Sequence, residues 1–407
     1  MTVMSEVLIR REHYLKILHG FKDKPLVKII TGIRRCGKST LMEMFIADLI
    51  TDGVSDKNIL HMNFEDRNFI HIRDGDTLLK TVTGAIELKK GTYLFFDEIQ
   101  DVSGWERAIN SMRYAGADVY ITGSNAKLLV SDFSTYLSGR YVEIETYPLS
   151  FREYVDFIGS GKESPDQMLL EYMIRGGLPQ AVLEGKNETN RGAILSATFE
   201  TVFIKDVVEK NKIMDVAAIR NIAEFVMKNI GNLTSTRNVS NYIISKGGKI
   251  TPPTADNYLN HLESAYLIYR ARKYDVKNKE YLRTSNKFYV ADLGIRDNRI
   301  GYEDDNISGL MENMVFMELL FRGKKVAVGK INQNEIDFIV FNGMDKEYYQ
   351  VTSELLDQDV INREVRPLKA ADDIYPKTII TFVRTPRKEI SGIRVIALAD
   401  FLLEKFE

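Results

Sequence analysis

The stretch Gly32-Ile33-Arg34-Arg35-Cys36-Gly37-Lys38-Ser39 decides how this chain is read. It matches the pattern G-x-x-x-x-G-K-[ST] at every fixed position. Leu26-Val27-Lys28-Ile29-Ile30 before it reads as a buried strand, and Thr40-Leu41-Met42-Glu43-Met44-Phe45 after it as a helix. A glycine-rich turn between strand and helix lets successive backbone N–H groups curl round a phosphate at the helix N-terminus. The expected nucleotide cradle is Gly32, Ile33, Arg34, Arg35, Cys36, Gly37, Lys38, Ser39 and Thr40. In it Lys38 reaches the β- and γ-phosphates of ATP, and the Ser39 hydroxyl helps hold Mg²⁺. A chance match in a tight turn would not carry both flanks.

Outward from the loop, strands and helices alternate. Residues 7–20 read as a short amphipathic helix, 58–64 as a second strand and 76–89 as a helix. Residues 93–98 form a third strand, about 104–115 a helix, 117–124 a fourth strand and 141–144 a fifth. This alternation predicts an α/β fold with a parallel sheet covered on both faces, its ligand at the carboxyl ends of the strands. The third strand ends in Asp97-Glu98. Asp97 is expected to bind Mg²⁺, and Glu98 to orient and deprotonate the attacking water. The plain alternative for such a pair is a helix N-cap after a strand. An extra strand, 59–64, falls between loop and acid pair, as in the additional-strand NTPases.

The fourth strand ends in Ile121-Thr122-Gly123-Ser124-Asn125. Ser124 is the favoured contact to the γ-phosphate or the water, with Asn125 and Thr122 behind it and an ordinary turn as the alternative. In Leu137-Ser138-Gly139-Arg140, Arg140 is either an arginine finger reaching a neighbouring subunit's ATP or a surface arginine. Cys36 has two readings as well. A thiol at a helix N-terminus beside Lys and Arg tends to a lowered pKa; the same side chain can instead pack beneath the loop.

The whole chain sets limits. Its 407 residues leave room for two to four domains. With 44% hydrophobic and 28% charged residues it has a globular composition. A net charge of −2 gives no global basic bias toward nucleic acid, although a local basic face is compatible with it. One cysteine allows no internal disulfide and suits the cytoplasm. No apolar run is long enough for a membrane span, and Met1–Arg11 lacks the apolar core of a signal peptide.

The order of motifs resembles the archaeal and bacterial AAA-type ATPases that carry a C-terminal domain of unknown function on a degenerate restriction-endonuclease fold. The residues behind the resemblance are the arginine-rich loop 32–39, Asn63-Phe64-Glu65-Asp66, Phe95-Phe96-Asp97-Glu98-Ile99-Gln100, Thr122-Gly123-Ser124 and Ser138-Gly139-Arg140. Pro148-Leu149-Ser150-Phe151-Arg152-Glu153-Tyr154, Gly176-Gly177-Leu178-Pro179, Lys205-Asp206-Val207 and Asp292-Leu293-Gly294 extend it through most of the chain. The resemblance implies ATP binding and hydrolysis and names no substrate. It implies an AAA-type ATP-binding domain at 1–155, a helical lid at 156–215, a winged helix at 216–300 and a degenerate nuclease-like domain at 301–407.

The residues of the second half fit that outline. Pro252-Pro253 opens a helix over 254–264, with proline suited to a first turn. In a DNA reading this helix lies in the major groove, with Asn257, Asn260 and His261 toward bases and Lys246, Lys249, Arg270 and Arg272 toward phosphates. In the competing reading the winged helix is a protein-contact module or lid. Further on, Glu312 on a helix and Asp337 on a strand match two nuclease acids. Gln350 and Thr352 stand where an acid and a lysine are needed, so the nuclease centre is expected to be inactive. Two functions follow: a Mg²⁺-dependent ATPase that couples turnover to conformational change on duplex DNA, or a nucleotide-switched protein-interaction module. The expected partners are duplex DNA and further copies of the chain, with no membrane.

Overall fold

Val27, Lys28, Ile29, Ile30 and Thr31 are all buried, as a strand covered on both faces must be. They form β1 (Val27–Thr31) in a computed structural model that describes residues 10–124, 139–158, 163–301 and 307–404. Two units are present: Met1–Tyr147 with Ser264–Tyr266, and Pro148–Glu263 with Leu267–Glu407. The first contains α1 (Glu12–Phe21), β1, α2 (Lys38–Thr51), β2 (Ile59–Asn63) and α3 (Gly75–Ala85). It continues with β3 (Tyr93–Asp97), α4 (Trp105–Tyr114), β4 (Asp118–Thr122) and β5 (Tyr141–Glu145). The five strands are all parallel, in the order β2-β3-β4-β1-β5.

The sequence segment 59–64 does not separate loop and acid pair in space. It is the sheet's edge, beyond β3, and the strand lying between β1 and β3 is β4. Registers Ile30↔Thr122 and Phe96↔Ile121 bring the carboxyl ends of β1, β3 and β4 level with one another. α3 stops at Ala85, short of the expected 89, because Gly84 weakens its last turn and Ile86 is extended.

Side chains alternate across this sheet. Val27, Ile29, Leu94, Phe96, Val119 and Ile121 share a core with Leu78, Val82, Ile109 and Met112 of α3 and α4. On the other face Phe95 and Tyr120 stack with centroids 4.8 Å apart, and Phe45 of α2 packs on Tyr120 at 5.1 Å. Truncating Phe45 to alanine would remove these ring contacts and leave a cavity, at about 3–5 kcal/mol.

The second unit starts with helices. Phe151–Ile158, Pro165–Arg175, Pro179–Leu183 and Glu188–Thr201 occupy the stretch expected to be helical, and Ser164 and Gln167 form a capping box before the second. Helices Val216–Lys228, Thr236–Ser245 and Pro252–Ser264 follow, then the antiparallel hairpin β6 (Ile268–Asp275) and β7 (Glu280–Val290). That hairpin is not separate from what comes after. It joins β8 (Lys325–Ile331), β9 (Asn334–Asn342), β10 (Asp345–Thr352), β11 (Lys377–Thr381), β12 (Glu389–Ile390) and β13 (Ile393–Ala397) in one mixed sheet. The order is β12-β13-β11-β10-β9-β8-β6-β7, so the sheet takes strands from both sides of residue 300.

Two of the quoted motifs meet in this unit. Asp292 caps the helix Leu293–Ile300 by accepting from Ile295 N–H at 2.9 Å, and its other oxygen accepts from Gly177 N–H at 2.7 Å. A Cβ at Gly176 would lie 2.4 Å from Asp292, one at Gly177 would lie 2.3 Å from the Leu149 carbonyl, and one at Gly294 would lie 2.1 Å from the Arg175 carbonyl. The Gly-Gly-Leu-Pro and Asp-Leu-Gly motifs are therefore two halves of one interlock, since only glycine permits backbones this close.

Candidate nucleotide-binding site

The loop between β1 and α2 bends through three left-handed residues: Gly32 (φ 132°), Arg35 (φ 65°) and Gly37 (φ 97°), the last capping α2. A Cβ on Gly32 would lie 2.0 Å from the Thr146 carbonyl, so the close approach of the segment after β5 excludes other residues there. Arg11, buried just before α1, supports the loop from behind: one guanidinium nitrogen donates to the Cys36 carbonyl at 3.0 Å and to the Tyr147 carbonyl at 2.8 Å. Nothing in the sequence pattern marks Arg11. Its one signal is a charged residue immediately before an amphipathic helix.

Lys38 lies at the start of α2 with its ammonium folded into the loop, donating to the carbonyls of Gly32 at 3.0 Å and Ile33 at 3.2 Å. Glu98 is 3.9 Å away. Arg34 reaches Glu65 at 3.3 Å, which ties the loop to the Asn63-Phe64-Glu65-Asp66 motif after β2. Arg35 is exposed, and Ser39 and Thr40 are half-buried in the first turn of α2. Cys36 is fully buried, and burial pushes its thiol pKa up despite the nearby Lys38 and Arg11. Of the two readings of this cysteine, packing beneath the loop describes the structure.

Asp97 ends β3 and is buried; its carboxylate accepts from the Thr122 hydroxyl of β4. The same Thr122 oxygen accepts from Glu98 N–H at 2.9 Å. Thr122 thus holds both members of the acid pair. Glu98 itself has a left-handed backbone (φ 52°, ψ 48°), which costs a non-glycine residue about 1–2 kcal/mol. That turn directs its carboxylate toward Lys38, and Gln100 donates to it from the following turn. Ser124 is buried just past the end of β4, on the carboxyl side of the sheet. Asn125, Leu137 and Ser138 lie outside the described residues.

Arg140 is not brought to this cluster. It precedes β5, its carbonyl accepts from Val27 N–H, and its guanidinium stands 5.5 Å from the Tyr114 ring. Val27 pairs with Tyr141 at the amino ends of β1 and β5. Arg140 is therefore at the opposite end of the sheet from its own phosphate loop.

The donor set suits nucleotide and Mg²⁺. A hydroxyl (Ser39) and a buried carboxylate (Asp97) are the hard oxygen ligands Mg²⁺ takes. The carbonyls around Lys38 are neutral, so the ammonium can exchange them for phosphate oxygens.

In the second unit, Arg270 makes ion pairs with Asp256 and Glu263, both at 3.3 Å, and donates to Asn260 at 2.6 Å. Arg272 stacks over Tyr281 at 4.6 Å. Asp256, Asn260, Glu263, Arg270 and Arg272 line one cavity of about 630 Å³. Arg270 and Asn260 are thus engaged with each other, whereas Asn257, Lys246 and Lys249 are exposed.

Glu312 and Asp337 do come together, and a residue the sequence reading missed stands between them. Lys287 of β7 donates to Glu312 at 2.8 Å and Asp337 at 3.1 Å, and pairs with Glu335 at 2.9 Å. Tyr289 donates to Glu312 at 2.8 Å, and Val351 N–H to Asp337 at 2.9 Å. Gln350 accepts from Asp337 N–H at 3.4 Å, while the Thr352 hydroxyl turns to the Glu354 carbonyl. The available signal was a lysine two residues before Tyr289, next to the apolar end Phe288-Tyr289-Val290 of the strand.

Residues 24–155 match the family model of an AAA domain, and residues 166–306 match a model described as a domain of unknown function (DUF8612). Over 405 residues the chain is 36% identical to an uncharacterized protein of Haemophilus influenzae, covering 98% of this chain and 100% of that protein. An uncharacterized protein of Methanocaldococcus jannaschii is 30% identical over 358 residues, 85% of this chain and 78% of its own length. A Walker-type ATPase of Pyrococcus abyssi shares the fold, with a TM-score of 0.50 and 17% identity over 72% of this chain and 96% of its own.

Proposed function

The chain, with its AAA domain at residues 24–155, belongs to the family of these Haemophilus and Methanocaldococcus relatives, and from that premise we propose that it binds and hydrolyses ATP. The observation that carries this is the convergence of Lys38, Asp97 and Glu98 at the carboxyl ends of β1 and β3. Lys38 leaves its loop carbonyls to hold the β- and γ-phosphates, and Ser39 and Asp97 hold Mg²⁺. The metal, when bound, neutralises phosphate charge. Glu98 takes the proton from water as its oxygen bonds to the γ-phosphorus, and the electron pair of the breaking β–γ bridge leaves with ADP. Thr122 keeps the two acids apart in role by fixing both. Ser124 contacts the γ-phosphate or the water. Arg140, remote from its own loop, serves as a finger in a neighbouring copy's site.

ATP turnover is coupled to a conformational change on duplex DNA. Three helices followed by a hairpin over 216–290 support a winged helix, and the helices over 156–215 support a helical lid. The 301–407 region serves as a degenerate nuclease-like module, since Gln350 and Thr352 supply neither acid nor lysine. The second reading, a nucleotide-switched protein contact in the cytoplasm, is favoured by one observation: Arg270 is neutralised by Asp256 and Glu263 on the helix proposed to enter the groove. ATPase rates with and without duplex DNA at two salt concentrations, with solution mass measured with and without nucleotide, test both. DNA stimulation that fades with salt supports the first. Nucleotide-dependent mass without DNA stimulation supports the second, and no ATP hydrolysis at all overturns the proposal.

A further inference from the structure

The two carboxylate oxygens of Glu98 have different surroundings. Oε1 lies 3.9 Å from the Lys38 ammonium, whereas Oε2 accepts from the side-chain amide of Gln100. Residues two apart on a helix do not face each other. These two meet because Glu98 is left-handed (φ 52°) and the chain then enters the 3₁₀ turn Ile99–Asp101. The turn is pinned. Ile99 and Val102 are buried in the core shared with α3 and α4, and Val102 N–H donates to the Ile99 carbonyl at 3.0 Å. Gln100 is thus carried on a fixed backbone, next to a strained residue of the kind that collects at functional sites.

The amide of Gln100 has a second polar atom, and the contact with Glu98 does not use it. Its Oε1 is buried and has no hydrogen-bond partner among the described residues. Leaving a buried polar atom unsatisfied costs about 1–3 kcal/mol. A purely structural tie to Glu98 needs only the N–H and gives no reason to bury the oxygen. A water that yields one hydrogen to Glu98 has a second hydrogen to place, and an amide oxygen accepts it. In phosphoryl transfer to water, a glutamine amide is one of the groups that orients the nucleophile.

We propose that Gln100 is the water-orienting residue of ATP hydrolysis: its N–H fixes Oε2 of Glu98, leaving Oε1 to take the proton, and its own Oε1 accepts the hydrogen that stays on the water. The inference rests on the reading of Glu98 as the base. As the water oxygen bonds to the γ-phosphorus, one proton passes to Glu98. The other stays on that oxygen, and the electron pair of the β–γ bridge leaves with ADP. Gln100 neither gains nor loses a proton.

The test is single-turnover hydrolysis of Mg-ATP by excess full chain. The maximal rate reads the chemical step, and the protein concentration at half-maximal rate reads ATP affinity. Wild type, Gln100→Met, Gln100→Glu, Glu98→Gln and Glu98→Gln/Gln100→Met are compared, each with its thermal unfolding midpoint. Methionine keeps the length and removes both polar atoms; glutamate keeps the shape and replaces the donor with a charge that repels Glu98. The maximal rate should fall about 10–100-fold in Gln100→Met and at least as far in Gln100→Glu. ATP affinity should stay within about twofold of wild type. In the Glu98→Gln background, Gln100→Met should cost no more than about threefold, because a residue that acts with Glu98 has little left to lose without it. A normal rate in Gln100→Met, a loss carried by ATP affinity alone, or the full loss repeated in the double variant overturns the proposal. So does unfolding of both Gln100 variants, which makes the residue a structural tie. A wild type that binds Mg-ATP without hydrolysing it is a separate outcome: it removes the ATPase reading, and this proposal with it.

Discussion

Lys38 and Lys287 are equally buried, with 4% and 3% of their side chains exposed, yet they do opposite things. Lys38 rests on two neutral carbonyls and stands 3.9 Å from one carboxylate. Lys287 is surrounded by three acidic side chains within 3.1 Å. Burial alone would lower the Lys287 pKa, but Asp337, Glu312 and Glu335 outweigh it and hold the ammonium charged. Burial therefore does not tell a working cation from a structural one. The partners do: backbone carbonyls can be exchanged for phosphate oxygens, and a buried cluster of acids cannot.

The sharpest way to break this contrast is to make the same substitution at both sites. Lys287→Met should destabilise the second unit by about 3–5 kcal/mol, the scale for leaving a buried charge without its partner, and leave ATP affinity unchanged. Lys38→Met should abolish tight ATP binding with little change in urea unfolding. A large stability loss from Lys38→Met, or none from Lys287→Met, would undo the distinction. Glu98→Gln comes next: turnover should fall about a hundredfold or more with ATP binding kept, and near-normal steady-state turnover would remove Glu98 from its role.

A third prediction uses pH. Glu312 is pushed up to about 8 from 4.5, by burial first and by Asp337 next. A carboxyl with a raised folded-state pKa holds its proton more tightly when folded. Its contribution to stability is complete below pH 4.5 and is lost as pH climbs through 8. Urea unfolding of the second unit should therefore weaken between these limits more steeply in wild type than in Glu312→Gln; equal slopes would deny Glu312 that shift. The smallest effect extends the comparison to arginine. If DNA binds, Lys249→Ala should reduce the slope of log affinity against log salt by about 0.9, one phosphate contact. Arg270→Ala, whose charge is already matched by Asp256 and Glu263, should leave the slope unchanged.

The α/β sheet and its ligand edge were legible because their signals are local: apolar runs at strand length, a glycine-rich turn, and Asp97-Glu98 at a strand's end. What stayed hidden depends on contacts between segments distant in sequence. The placement of β4 between β1 and β3 follows from crossover geometry, and no residue spells it out. The Thr122 hydroxyl was visible as a polar strand-end group, but its service to Asp97 requires β3 and β4 to be adjacent. Lys287 was not singled out, because its contact with Glu312 depends on how β7 sits against the helix Ile307–Phe321, and Cys36 was left with two readings that only packing could decide.

The interlock of Gly177 with Asp292 has a consequence for how the chain is made. Its two halves are 115 residues apart, and at ribosomal rates of 5–20 residues per second the second arrives roughly 6–23 s after the first. Arg152, which donates to the Leu403 carbonyl, waits across 251 residues, roughly 13–50 s. Meanwhile all five strands of the first sheet have emerged by residue 145. The nascent chain can close its nucleotide sheet early, while the Gly-Gly-Leu-Pro segment and the helix Pro165–Arg175 wait for partners still being translated. That interval is when a chaperone would find this protein, and it is set by the distance between two glycines and one aspartate.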